Sequence, residues 1–357
     1  MKFYKKIIPA ILILLISSAL FTREPAKDET IILPPAYGWI DNGEINIYLH
    51  AWIFEMEENS VLRNSIIKIL GKSFDVDNVE NKKLFEDRLR YFLVDNKRRK
   101  NIAVDILGER YALPQTASNG HSDAIIKIKN NSKSDLINKR INFSTVSSQK
   151  DNPVFSGSFQ IIGAEGYSII SDIDDTIKIS NVLNRDELVE NTFTKKFEPV
   201  NGMSKLYKIF EKKGCAFHYV SGSPWQLYPS ISDFIIAEQF PAGSVNLKYF
   251  RVKDKSLFEF ISADQLAHKL GAIKTIMDRF PQRQFILIGD SGEKDPEVYS
   301  ELASQYNGRI KYIFIRDVGL IDEGSQRRKD VAAKSGSVKM IIFKEAKEIE
   351  SYAENLK

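Results

Sequence analysis

The sequence predicts an α/β protein, a parallel-sheet domain covered by helices on both faces and preceded by a mainly β domain. Three observations predict it. From Gly166 onward, short apolar strands alternate with amphipathic helices. Residues 28–160 show instead short alternating segments separated by polar turns. The acidic residues of the second half stand directly after its strands, and open parallel sheets gather ligands at the carboxyl ends of their strands.

The chain holds 357 residues, 43% hydrophobic and 27% charged, enough for two domains with substantial cores. Lys and Arg exceed Asp and Glu by 51 to 47, and the net charge of +4 is too small to imply a nucleic-acid partner. The runs Arg98-Arg99-Lys100 and Arg327-Arg328-Lys329 lack an aromatic platform and read as solvated faces. A single cysteine, Cys215, excludes an intramolecular disulfide and a thiolate metal cluster, and four histidines without an HExxH pattern disfavour a zinc hydrolase. Lys2, Lys5 and Lys6 precede an apolar run from Ile7 to Phe21, with small residues at Ser17 and Ala19. Residues 1–27 therefore read as a signal peptide or N-terminal anchor with a short linker. The expected location is exported: periplasmic, extracellular, or anchored to the outer face of the cytoplasmic membrane.

In the N-terminal domain, residues 28–160, Ile31 to Pro35 leads into Tyr37-Gly38-Trp39, and Glu44 to Phe54 alternates as an amphipathic strand. Segments 90–94, 102–107, 124–128, 141–146 and 155–162 read as further strands, with one helix around Lys82 to Leu89. The second domain, residues 161–357, opens with an apolar strand at Tyr167 to Ser171. Helical spacing follows at 202–213, a buried strand at Phe217 to Val220 behind a packed Cys215, and helices at 227–240 and 266–280. Phe285 to Ile288 is a strand, 297–305 a helix and 310–315 a strand. Asp322 to Asp330 reads as a charged loop, Val338 to Phe343 as an edge strand, and a last helix starts at Glu345.

The first of these strands ends in Asp172-Ile173-Asp174-Asp175-Thr176. Across a tight turn Asp172 and Asp174 can face one site, where Asp172 can coordinate a metal and attack phosphorus while Asp174 handles the proton. A solvated acidic turn explains the apolar strand before them less well. An EF-hand fails because Ile177 stands where glycine is required and no Glu closes the loop. A later strand ends in Gly289-Asp290-Ser291-Gly292-Glu293-Lys294-Asp295, where Asp290 and Asp295 can offer oxygen ligands to Mg2+ and the glycines let the backbone turn closely. The strand at Phe217 ends in Ser221-Gly222-Ser223-Pro224-Trp225. There the Ser221 hydroxyl and backbone amides can bind phosphate oxygens, and Ser223 or Pro224 can equally start the next helix. Lys269 is either a solvent-facing lysine or the cation that keeps Asp172 and an incoming phosphate from repelling one another.

These segments, in this order, resemble the haloacid-dehalogenase phosphatase superfamily. The strings from Ser171 to Lys178, Tyr219 to Trp225 and Gly289 to Pro296 are similar, more narrowly, to its fungal and bacterial phosphatidate phosphatase family of the yeast actin-patch type. The resemblance spans residues 165–318 and implies a three-layer haloacid-dehalogenase-like catalytic domain. It implies Asp172 as nucleophile, Asp174 as general acid and then base, and Ser221, Gly222 and Lys269 as phosphate ligands. Mg2+ would be held by Asp172, Asp174, Asp290 and Asp295, and the substrate would be phosphatidate or a related lipid phosphate at a membrane surface. Trp225, Leu227 and Tyr228 follow Ser221 closely enough to form an apolar rim beside the phosphate, with burial of Trp225 against the sheet as the alternative, and the segment from Lys178 to Gly202, with Asn181, Asn184 and Phe193, is long enough for a small cap. Two other functions compete: a phosphatase of soluble phosphomonoesters or phosphoproteins, and an exported scaffold with an inactive phosphatase-like domain.

Overall fold

The computed structural model describes residues 23–56, 60–73, 79–129, 134–250 and 266–356; the expected export segment, up to residue 22, lies outside them. Among the described residues no helix is long and apolar enough to cross a membrane.

Strands β1 (Glu29–Ile32), β2 (Ala36–Asp41) and β3 (Glu44–Glu55) begin a nine-stranded sheet. Asn42 and Gly43 both adopt positive φ (49° and 76°), the conformation a two-residue hairpin demands, and so fix the register that pairs Asp41 with Glu44. Helices α1 (Val61–Ser73) and α2 (Val79–Arg90) interrupt the sheet. It then resumes with β4 (Asp95–Asn96), β5 (Ala103–Ile106), β6 (Glu109–Ala112), β7 (His121–Lys129), β8 (Arg140–Val146) and β9 (Ser156–Ile161). In β7, Ala124, Ile126 and Ile128 point inward while Asp123, Ile125 and Lys127 point outward, the period of two that the sequence shows. The expected strand at 90–94 is not one. Phe85, Leu89 and Phe92, spaced four and three apart, bury one helical face, so α2 runs on into a 3-10 turn at Tyr91–Leu93.

The second sheet has six strands: β10 (Tyr167–Ser171), β11 (Ala216–Pro224), β12 (Ser244–Lys248), β13 (Gln284–Asp290), β14 (Ile310–Arg316) and β15 (Met340–Phe343). Their order is β12-β11-β10-β13-β14-β15 and every pair is parallel. On one face Ile169, Phe217, Tyr219 and Ile288 meet α4 (Met203–Lys212), α5 (Tyr228–Ala237) and α9 (Glu350–Glu354). On the other, Ile170, Leu287 and Ile313 meet α6 (Leu266–Arg279), α7 (Asp295–Gln305) and α8 (Gln326–Ser335). These are the three layers expected. Helix α8 starts inside the stretch read as a charged loop: Ser325 caps it by accepting from the amide of Arg328, and its low apolar content hid it.

Both cores are shared with the N-terminal part of the chain, one through its sheet and the other through α1, α2 and the 3-10 turn. Tyr37 and Trp39 of β2 pack with Ile276 and Phe280, and the Arg279 guanidinium lies 4.6 Å from the Tyr48 ring and 5.0 Å from the Trp39 ring. Phe92 meets Phe193 of α3 (Arg185–Phe193) and Phe250 at centroid distances of 5.7 and 5.9 Å. Phe193 thus belongs to the core, while Asn184 caps α3 by accepting from the amides of Asp186 and Glu187.

Candidate active site

β10 lies between β11 and β13, so the carboxyl ends of adjacent strands bring Asp172, Ser221 and Asp290 together. Asp172 is fully buried; its amide donates to Ile288 O at 2.9 Å, which ties it to β13, and Thr176 Oγ1 donates to its Oδ2 at 3.2 Å. Asp175, an acid to which the sequence assigned no role, sits at φ 51° and shapes the turn. Its carboxylate accepts from the amides of Ser180 (2.8 Å), Asn181 (2.9 Å) and Val182 (2.7 Å).

Asp174 is paired with a different lysine from Asp172. Its Oδ1 pairs with Lys178 Nζ at 2.7 Å and accepts from Ser180 Oγ at 2.7 Å; its Oδ2 accepts from Ser221 Oγ (3.2 Å) and Ser223 Oγ (2.7 Å). Burial alone would raise its pKa, but Lys178, Ser180 and Ser223 together hold it well below the usual carboxylate range. Lys178 and Ser180 were given no role in the sequence, and Ser223 was read only as a possible start of the next helix. The one signal was the alternation Ile177-Lys178-Ile179-Ser180 after Thr176, together with the second serine beside Ser221.

Lys269, 1% exposed, is the buried cation of the alternatives weighed above. Its Nζ lies 2.8 Å from Asp172 Oδ1, 2.6 Å from Asp295 Oδ1 and 2.8 Å from Glu293 Oε2. Burial opposes its charge, and Asp172, Asp295 and Glu293 outweigh burial to raise its pKa. Asp290 Oδ2 accepts from the amides of Gly292 and Glu293. Gly289 is required by packing: a Cβ there would stand 2.3 Å from Asp295 Oδ2. From α8, Arg327 donates to Glu293 O at 2.6 Å and pairs with Glu297 at 2.9 Å, so this arginine clamps the Asp290 loop instead of lying on a solvated face.

Asp172, Asp290 and Asp295 each offer an oxygen within 4.8 Å of the others. Asp174, expected with them, does not join through its side chain, because both its oxygens are engaged by Lys178 and the serines. The three residues fit a hard divalent cation on their own chemistry. All the donors are oxygen, and Asp290 Oδ1 is buried without a hydrogen-bond partner. Burial and the neighbouring acids push the pKa values of Asp172 and Asp290 well up, so the site lacks positive charge that a cation would supply.

The apolar rim is not where it was expected. Trp225 is buried at 3% exposure, stacked on His50 of β3 with centroids 4.1 Å apart and an interplanar angle of 14°. Tyr228 is buried beside it, at a centroid distance of 5.7 Å. Leu227, also buried, does line a small pocket with Asp174, Gly222, Ser223, Leu188 and Glu293. Trp225 is claimed by packing against the N-terminal sheet, the alternative weighed above, and no local pattern chooses between the two. Cys215 is buried, and burial pushes its thiol up to about 12, in line with an inert packed residue.

The family model described as the catalytic domain of phosphatidate phosphatase APP1 matches residues 167–317. Phosphatidate phosphatase APP1 of Saccharomyces cerevisiae is 27% identical over 289 residues, 77% of this chain and 46% of that protein. An uncharacterised Schizosaccharomyces pombe protein is 33% identical over 180 residues, 49% of this chain and 29% of that protein. The chain thus spans less than half the length of these curated relatives. Among solved structures, a class C acid phosphatase from Bacillus anthracis with tungstate bound aligns over 54% of this chain and 73% of that one, at 15% identity and a TM-score of 0.29.

Proposed function

We propose, on the premise that residues 167–317 belong to the phosphatidate phosphatase APP1 catalytic-domain family, that the chain is a Mg2+-dependent phosphomonoester hydrolase working through an aspartyl-phosphate on Asp172. The observation that carries the reading is the contact between Asp172 and Lys269, both buried, inside the cluster completed by Asp290 and Asp295.

Lys269, the Ser221 hydroxyl and the Gly222 amide orient the phosphate and offset its charge. Asp172 attacks phosphorus in line as the bond to the leaving oxygen breaks, and Asp174 gives that oxygen its proton. Asp174 then takes a proton from the water that hydrolyses the acyl phosphate, which frees phosphate and restores Asp172. In the ligand-free arrangement Lys178 keeps Asp174 ionised, and an arriving phosphate anion would raise its affinity for a proton. Mg2+, held by Asp172, Asp290 and Asp295, would neutralise charge on the phosphate oxygens.

Phosphatidate or a related lipid phosphate is the proposed substrate, supported by the family match and by the activity for which the yeast relative is named. The export-like N-terminus supports a place beside a bilayer, outside the cytoplasm. The test is competition in one mixture: phosphatidate in mixed micelles, sugar phosphates, nucleotides and a phosphopeptide, compared by kcat/KM. Phosphatidate should be turned over first. Preferential turnover of a soluble phosphate would refute the lipid assignment and leave the Asp172 chemistry standing.

A further inference from the structure

We propose that Lys178 is a positioning residue for proton transfer: with Ser180 it pins Asp174 Oδ1, so that Oδ2 is the oxygen carrying the transferred proton. The inference rests on the reading of Asp174 as proton donor and deepens it.

Lys178 is 1% exposed, and a buried lysine is tolerated only when paired. Its pairing is specific. Nζ lies 2.7 Å from Asp174 Oδ1 and donates to Ser180 Oγ, which itself donates to the same Oδ1 at 2.7 Å. Oδ2 is left to Ser221 and Ser223, hydroxyls at the carboxyl end of β11, of which Ser223 lines the small pocket. The backbone fixes the reach of the lysine: the amide of Asp175 donates to Lys178 O at 2.7 Å, and Lys178 forms isolated bridges with Asp174 and Pro199.

A ring holds the cation as well. Lys178 Nζ lies 4.6 Å from the Phe197 ring centroid, and the Arg88 guanidinium lies 4.0 Å from the same ring. Arg88 comes from α2 and donates to Thr192 O (2.9 Å) and Lys195 O (2.7 Å), so a residue of the N-terminal region braces the segment that holds the proton donor. In the step itself, Asp172 forms its bond to phosphorus, the bond from phosphorus to the alkyl oxygen breaks with its electron pair going to oxygen, and that oxygen takes the proton from Asp174 Oδ2. Asp174 is left as a carboxylate whose Oδ1 is already paired.

An aryl oxide leaves without a proton and an alkoxide does not, so the leaving group reads out this role. The full chain, saturated with Mg2+, is assayed on a short-chain phosphatidate and on p-nitrophenyl phosphate. Lys178→Met should lower kcat on phosphatidate by roughly 10²-fold and change the aryl rate little, and Lys178→Arg should recover most of the loss. Equal loss on both substrates, or loss on neither, would overturn the inference. If the methionine protein does not fold, Lys178→Gln, which keeps a donor toward Oδ1, should show a smaller split of the same sign, and equal losses would again overturn it. Asp174→Asn separates the two readings. A split there without one at Lys178 removes only the lysine's role, and no split at Asp174 removes the proton-donor reading and this inference with it.

Discussion

Lys269 Nζ lies 2.8 Å from Asp172 Oδ1 and 2.6 Å from Asp295 Oδ1, with all three side chains at 1% exposure or less. One buried cation therefore serves three acids, counting Glu293. Lys269→Met should abolish turnover and, in the cation-free protein, cost about 3–5 kcal/mol of stability, because it strands buried carboxylates. Denaturant melts with and without Mg2+ measure this, and added cation should restore part of the loss. Unchanged stability would mean that the pairing carries little weight.

Asp290 and Asp174 should behave differently. Asp290→Asn alters a residue of the carboxylate cluster, so Mg2+ affinity in calorimetric titration should fall at least about tenfold, or 1.4 kcal/mol. Asp174→Asn should bind Mg2+ more nearly as wild type does, while its turnover of phosphatidate falls by roughly 10²- to 10⁴-fold. The reverse order of affinities would mean that Asp174 is a cation ligand after all.

His218 predicts part of the acid sensitivity of the fold. It is fully buried, with Nδ1 2.7 Å from Ser244 Oγ and Nε2 unpartnered, and burial, aided by Arg283 and Arg279, pushes its pKa down to about 3. The unfolded chain takes up this proton near pH 6.5 and the folded chain does not. His218 therefore favours folding above pH 6.5, and that contribution is lost as the pH falls from there toward 3. In His218→Leu, the stability lost between pH 7.5 and 5 should be smaller than in wild type by about 2 kcal/mol. Parallel stability curves for the two proteins would contradict this.

The N-terminal part of the chain should be required for the catalytic part to fold. Tyr37 and Trp39 complete one core, and Phe85, Leu89 and Phe92 complete the other. A chain starting at residue 163 should lack a cooperative melt and near-ultraviolet dichroism. A melt at the temperature of the full chain would show that the shared packing is dispensable.

The acid motifs were legible because apolar strands stop abruptly at Asp172 and Asp290, and the parallel sheet because its strands alternate with helices of matching apolar spacing. Three features were not legible, each for a physical reason. Asp175 stands in the acidic run without a role until its oxygens are found on three backbone amides. The burial of Trp225 depends on His50, distant in sequence and on the other sheet. Lys178 reaches Asp174 only because the turn between them is fixed by backbone bonds that residue type does not encode.

The aspartyl-phosphate on Asp172 is the central claim, and rapid-quench mass spectrometry of the enzyme turning over phosphatidate with Mg2+ tests it most directly. The account predicts a mass increment of one phosphoryl group on the peptide containing Asp172, formed as fast as turnover requires and absent from Asp172→Asn, which should also be inactive. Full turnover by Asp172→Asn, or a phosphoryl group trapped on another residue at a competent rate, would contradict it.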